Sequence, residues 1–381
     1  MEKPAYAKGL EGVIAAESQI CYIDGQQGKL YYMGYSIEDL VEHCSYEEVA
    51  YLLLYRNLPT ASELEGFIER MRSFRALPEP VKQMIHAFPT GAHPMELLQS
   101  VMAYLSSYVQ HKIHHSATCN CRDTLHQLAQ MATVIATYAR YRDGNDYIEP
   151  RNDLSHGANF LYMLRGEEPD TDEGEIMDKS LILHAEHGFN ASTFTSRVVA
   201  STLSTCYSSI SAAMGSLYGS LHGGANERVL KMVDAIGDKN KVKKFIDDTL
   251  SKKEKVMGMG HRVYKAKDPR AIIIEKYLYD LSDKKNNWRD YEILKEIERV
   301  FGERMQDKGK PIYPNVDFFS GALYRLLGIP TVLFTPIFAA ARVAGWLAHI
   351  LEQREDNRLY RPKSLYVGKK EIPFVPIEER S

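Results

Sequence analysis

Near its N-terminus the chain repeats one pattern: a hydroxyl three residues ahead of a carboxylate, at the head of a run whose apolar residues recur with helical spacing. Ser36 with Asp39, a weaker form, and Ser45 with Glu48 and Thr60 with Glu63 all fit it. Such pairs satisfy amide donors that a helix start leaves unpaired, so closely spaced starts imply short helices joined by short connections. The same reading predicts helices over 125–142, stopping near Gly144, over 226–236 and over 271–281. Another begins at Thr335-Pro336, where Thr can cap and Pro suits the first helical position, and runs to about Glu355. Strand signals are confined to 19–23 and 29–33, which flank Asp24-Gly25-Gln26-Gln27-Gly28 and predict a small hairpin. The predicted class is therefore all-α, with a small β-hairpin at the N-terminus.

Residues 198–221 carry no charge, yet Ser201, Thr202, Ser204, Thr205, Ser208, Ser209, Ser211, Ser216 and Ser220 are too polar for a bilayer span. A buried helix follows, its small side chains admitting a close neighbour across a subunit interface or within the chain. With 381 residues, 44% of them hydrophobic, the chain can build one large core and a smaller second unit. Glycine and proline cluster at 219–224 and 321–330, which divides it into a large helical domain from 1–219 and 326–381 and a small one from 220–325. A formal charge of −3 supplies no global field for nucleic acid, so anions must be met by local Lys and Arg clusters. Residues 1–8 lack the apolar run of a secretory signal, and five scattered cysteines do not form a disulfide framework. Cytoplasmic residence, with no membrane partner, is the expectation.

Three glycine- or proline-framed segments each deliver one ionisable side chain: Leu221-His222-Gly223-Gly224-Ala225-Asn226-Glu227, Gly258-Met259-Gly260-His261-Arg262-Val263-Tyr264-Lys265, and Tyr313-Pro314-Asn315-Val316-Asp317-Phe318-Phe319-Ser320-Gly321. A carboxylate can take a proton from carbon while two imidazoles donate to oxygens that become charged. Read singly, each has a plainer role. His222 could cap the helix that follows, His261 could sit incidentally in a solvated basic loop, and Asp317 could be an ordinary N-cap. Together and in this order, the segments resemble the active site of citrate synthases, and the resemblance runs from about Gly12 to Ser364.

That resemblance implies a two-domain helical enzyme that condenses acetyl-CoA with oxaloacetate. It makes His222 the donor to the thioester carbonyl, His261 the group that polarises the ketone oxygen, and Asp317 the base, whose pKa burial beside Phe318 and Phe319 would raise. It assigns oxaloacetate to His187, within Glu186-His187-Gly188-Phe189-Asn190-Ala191-Ser192-Thr193-Phe194, and to Arg270, Arg342 and Arg361. Without it, His187 reads as a satisfied core histidine and Arg361 as part of a surface tail, whereas Arg342 in an apolar helix calls for an anionic partner on physical grounds alone. Arg262, Lys265 and Lys308 are the candidates near the CoA phosphates. Arg361 is expected to reach the other subunit's site, which implies a homodimer. No cofactor is implied, since acetyl-CoA is a substrate.

The chain departs from the family at Glu186 and Gly188, where Asp-His-Glu is common, at Ser220, where Pro is common, and at Met33, where Arg is common. His111, His114, His115, Cys119 and Cys121 match no closed zinc pattern, and no metal is expected there. A redox or metal role for that cluster, a 2-methylcitrate synthase using propionyl-CoA, and a non-catalytic CoA-binding relative are the competing readings.

Overall fold

The structure is a computed structural model that describes residues 6–108 and 121–380. The chain proceeds through β1 (Cys21–Asp24), β2 (Lys29–Tyr32), β3 (Tyr35–Ser36), α1 (Ile37–His43), α2 (Tyr46–Tyr55), α3 (Ala61–Ser73), α4 (Glu79–Ala87), α5 (Pro94–Leu105), α6 (Cys121–Arg142), α7 (His156–Arg165) and α8 (Thr171–Ala185). It continues through α9 (Ala191–Ser201), α10 (Cys206–Tyr218), α11 (Ala225–Ile236), α12 (Val242–Ser251), α13 (Pro269–Lys284), α14 (Arg289–Asp307), α15 (Val316–Leu326) and α16 (Phe334–Glu355), with short 3-10 turns between some of them. The all-α class is as expected. The N-terminal sheet is slightly larger than a hairpin, because β2 pairs with both β1 and the two-residue β3, all antiparallel.

Local signals explain most helix starts. Ser45 and Thr60 form full capping boxes with Glu48 and Glu63, while Ser36 accepts from the Asp39 amide without the reciprocal bond. Two starts differ from expectation. The uncharged stretch is two helices, α9 and α10, rather than one: Leu203 takes a left-handed φ of 62° and Thr205 caps the new start by accepting from the Ser208 amide. Helix α16 begins at Phe334, directly after a 3-10 turn, so Thr335 is inside it. The Thr335 hydroxyl donates to Glu227 at 2.9 Å instead of capping.

Helix α16 runs through the middle of the core and packs on α2, α6, α8, α9 and α10. Together with the turn before it, it is long and apolar enough to cross a membrane, but 83% of that window is buried by its neighbours, as in a core helix. Helices α11 to α15 pack among themselves and meet the remainder through α1, α8 and α16. His187, His222, His261, Arg270, Asp317 and Arg342 lie on or beside the elements through which these two groups of helices meet.

Gly345 shows how close the packing on α16 is. A Cβ there would collide with the Ala185 carbonyl and with the Glu186 carboxylate at the end of α8. Gly345→Ala is expected to cost about 1–3 kcal/mol, the usual size of an overpacking penalty, read as a lowered denaturant midpoint. An unchanged midpoint would mean that α8 yields at no cost.

Candidate active site

His222 lies in the short turn between α10 and α11, but it does not cap the helix: Gly224 occupies the N-cap position of α11. Its ring reaches across to the start of α9, where Nε2 accepts from the Ser192 amide at 3.2 Å and lies 2.8 Å from the Ser192 hydroxyl. The Trp346 indole on α16 donates to the same hydroxyl at 3.2 Å. Because Nε2 accepts a backbone N–H, the proton belongs on Nδ1.

His261 is set the other way round. Its Nδ1 accepts from the amides of Val263 and Tyr264 at 3.0 and 3.3 Å, which leaves Nε2 as the donor. His187 stands beside it with ring centroids 5.2 Å apart, and its Nε2 is 3.2 Å from the Tyr264 hydroxyl. His187 is thus half-buried and tied to the loop of His261 rather than satisfied within its own segment.

Asp317 is the second residue of α15, not its cap. Asn315 fills that position, accepting from the Asp317 amide at 3.0 Å, and so leaves the aspartate carboxylate unspent. Asn315 also joins the two loops. Its amide donates to the Gly258 carbonyl at 2.9 Å and its side chain to the Gly260 carbonyl at 2.9 Å, while the Gly260 amide donates to Tyr313 at 2.8 Å. The His261 loop and the head of α15 are one stitched unit.

Arg270 and Arg342 are both buried, at 2% and 1% exposure. Asp268, which caps α13, grips Arg270 through both carboxylate oxygens at 3.1 and 2.8 Å. Arg342 donates Nε to the His184 carbonyl at 2.7 Å and stacks on Phe338. Among the described residues it forms no ion pair. A buried guanidinium without a carboxylate is a receptor for an anion.

Burial and these two cations set the protonation states. Burial pushes His222 down to about 4, helped by Arg342, and pushes His261 down to about 4, helped by Arg270. His187 is held well below the usual imidazole range by burial, then by Arg270, His261 and Arg342. All three are neutral near pH 7 and donate as imidazoles. Burial moves Asp317 the opposite way, up to about 6, with Arg270 the largest restraint on the rise.

The other expected residues fare differently. Arg262 and Lys265 are exposed on the loop of His261, and Lys308 is exposed at the C-terminal end of α14. Arg361 is not at this site within its own chain. It lies in the exposed tail after α16, on a cavity of about 990 Å³ shared with α9 and the N-terminal segment. The departure Glu186 is structural here: its Oε1 accepts from His349 at 3.0 Å, in a buried chain that continues to Arg197 and Glu352. Of the His111, His114, His115, Cys119 and Cys121 cluster, the first four lie outside the described residues, as does the side chain of Cys121. Sequence reasoning missed Ser192, Tyr264, Asp268 and Asn315. Asp268, directly before Pro269, and Asn315, directly before Val316, carried a local signal as capping residues at helix starts.

Comparison with known proteins shows what the whole chain is similar to. The model described as "Citrate synthase, C-terminal domain" matches residues 9–363. A citrate synthase from Synechocystis is 44% identical, covering 100% of this chain and 95% of its own. A 2-methylcitrate synthase from Corynebacterium glutamicum is 43% identical, covering 98% and 97%. Among solved structures, the ternary complex of Thermoplasma acidophilum citrate synthase with carboxymethyl coenzyme A and oxaloacetate superposes with a TM-score of 0.92 at 36% identity, covering 99% and 100%.

The raised Asp317 pKa has a stability consequence of definite sign. The folded state prefers the protonated acid, so this group's contribution is fully present below about pH 4 and is lost as pH rises through about 6. Asp317→Asn is expected to melt at a higher temperature than the parent protein at about pH 8, with the gap closing toward about pH 4. Equal melting temperatures at the higher pH would contradict a disfavoured carboxylate.

Proposed function

The chain belongs to the citrate synthase family, and from that premise we infer that it condenses acetyl-CoA with oxaloacetate and water to give citrate and CoA. The Asp317 carboxylate removes a proton from the thioester methyl while Nδ1–H of His222 donates to the thioester carbonyl oxygen. The resulting nucleophilic carbon attacks the ketone carbon of oxaloacetate, whose oxygen receives Nε2–H of His261. Water then hydrolyses citryl-CoA and releases the thiol. The observation that carries this reading is the pairing of one carboxylate raised to about 6 with two imidazoles lowered to about 4, each with one ring nitrogen accepting from the backbone and the other carrying the proton. Neutral imidazoles stay donors throughout, and a base near 6 is ionised yet stronger than an exposed aspartate.

Arg270 and Arg342 supply the counter-charge for the two oxaloacetate carboxylates, with His187 of the same chain and the partner subunit's Arg361 completing the pocket. Lys265, Arg262 and Lys308 are the CoA-phosphate candidates. The exposed tail after α16 supports a homodimer: Leu365, Tyr366, Val367, Ile372 and Phe374 are all exposed on it, which suits a segment that lies on a second copy. A large domain of 1–219 with 326–381 would then close on a small one of 220–325 and shield the enolate from water. The chemistry assigned to the imidazoles and guanidiniums requires no cofactor.

The decisive assay is thiol release with oxaloacetate and either acetyl-CoA or propionyl-CoA. Higher kcat/KM with acetyl-CoA is the expected result. Preference for propionyl-CoA would make the chain a 2-methylcitrate synthase, a reading favoured by the similarity to the Corynebacterium relative. One methylene changes selectivity by only about 1–3 kcal/mol, so the assay decides what identity does not. No thiol from either, by a protein that binds CoA, would leave the non-catalytic reading. Asp317→Asn is expected to lower kcat by about 10²–10⁴-fold with oxaloacetate binding retained. The acid limb of kcat/KM should fall near pH 6, where Asp317 titrates.

The shared site has its own test. Mixed dimers of Asp317→Asn and Arg361→Ala subunits carry both defects in one site and neither in the other. Activity above that of either parental variant is expected, and its absence would place Arg361 in its own chain's chemistry or in none.

A further inference from the structure

The N-terminal sheet touches both histidine-bearing segments of the oxaloacetate pocket. At its base, Tyr32 on β2 is fully buried, with its hydroxyl 2.8 Å from the Glu186 carbonyl and accepting from the Glu186 amide at 3.3 Å, one residue before His187. At its tip, the Gly25 carbonyl accepts from the Lys265 amide at 2.7 Å, in the loop of His261. This approach needs bare backbone. A Cβ at Gly25 would collide with the Val263 carbonyl, and one at Gly28 would lie 2.9 Å from the Lys267 carbonyl. The turn is also shaped from within, because Asp24 Oδ1 accepts from the Gln26 and Gln27 amides at 3.0 and 2.9 Å.

We propose that this hairpin is a gauge that sets His187 against His261, and that Gly25 is a positioning residue for the reaction. Tyr32 fixes the α8–α9 segment at one end, the Gly25 carbonyl fixes the His261 loop at the other, and the antiparallel register Cys21↔Tyr32 through Asp24↔Lys29 holds the two ends at a constant separation. The two contacts sit at opposite ends of the β1–β2 ladder, so seating or unseating its turn changes the spacing of the two rings without altering either residue. The same contact ties the N-terminal sheet to the loop between α12 and α13 that carries His261. Binding of oxaloacetate, which needs both rings at once, is then the step that senses the turn.

The inference rests on the condensation reading above, and calorimetry of oxaloacetate binding separates the two. If the unaltered protein fails to bind oxaloacetate, that reading fails and takes this one with it. Given binding, Gly25→Ala is expected to weaken oxaloacetate affinity, and to raise its KM, by about tenfold or more while kcat at saturation changes less. Asp24→Ala, which loosens the turn without adding bulk, should move the same constants in the same direction by a smaller factor. Measurements are made well below the melting temperature of each variant, since a purely structural role would lower the melting temperature and the active fraction but leave oxaloacetate affinity intact. Affinity within about twofold of the unaltered protein in Gly25→Ala, or in Asp24→Ala should the first fail to fold, overturns the proposal.

Discussion

Two buried guanidiniums govern the chemistry of this protein. A desolvated cation is tolerated only beside compensating charge or well-placed acceptors. Arg270 has a carboxylate, Asp268, gripping it through both oxygens, whereas Arg342 forms no ion pair among the described residues: it donates to a carbonyl, lies on an aromatic face and feels the Glu186 carboxylate only from a distance. The unbalanced positive potential reaches every proposed catalytic group. It adds to the burial that keeps His187, His222 and His261 neutral, and it limits the rise of Asp317. A dianionic substrate would complete the charge balance, which is why a pocket with two arginines and three neutral imidazoles is a receptor before it is a catalyst.

The scaffold serves that pocket through one helix. Helix α16 carries Arg342, the close-packed Gly345, Trp346 and His349, and each touches a different part of the site. Trp346 reaches Ser192 and through it His222, and His349 reaches Glu186 beside His187. The buried chain from Glu186 through His349 and Arg197 to Glu352 continues to the Gln19 amide near the start of the sheet. Residues without chemistry of their own therefore decide where the imidazoles point, and Asn315 does the same for the carboxylate by taking over the cap that Asp317 would otherwise supply.

Much of this was legible in the residues. The capping pairs Ser45–Glu48 and Thr60–Glu63 found their helices because a cap acts over three residues. The segments around His222, His261 and Asp317 announced themselves through glycine and proline framing, and their order through the chain pointed to the family. Leu203 was not legible: a left-handed turn at a non-glycine residue splits an uncharged run that reads as one helix. Nor was the start of α16, where the Thr335 hydroxyl is drawn to Glu227, a partner 108 residues away.

By itself the sequence determined the helical class, which follows from local spacing, and pointed to the family through the resemblance of its ordered motifs. Only the tertiary structure decided which ring nitrogen of His222 and of His261 carries the proton, that Arg342 forms no ion pair among the described residues, and that a hairpin turn seats on the loop of His261. Each of those depends on a contact between groups far apart in the chain, such as His222 with Ser192 30 residues before it and Ser192 with Trp346 154 residues after. Hydrogen bonds and desolvation act over a few ångströms of space, and folding alone brings such groups within that reach.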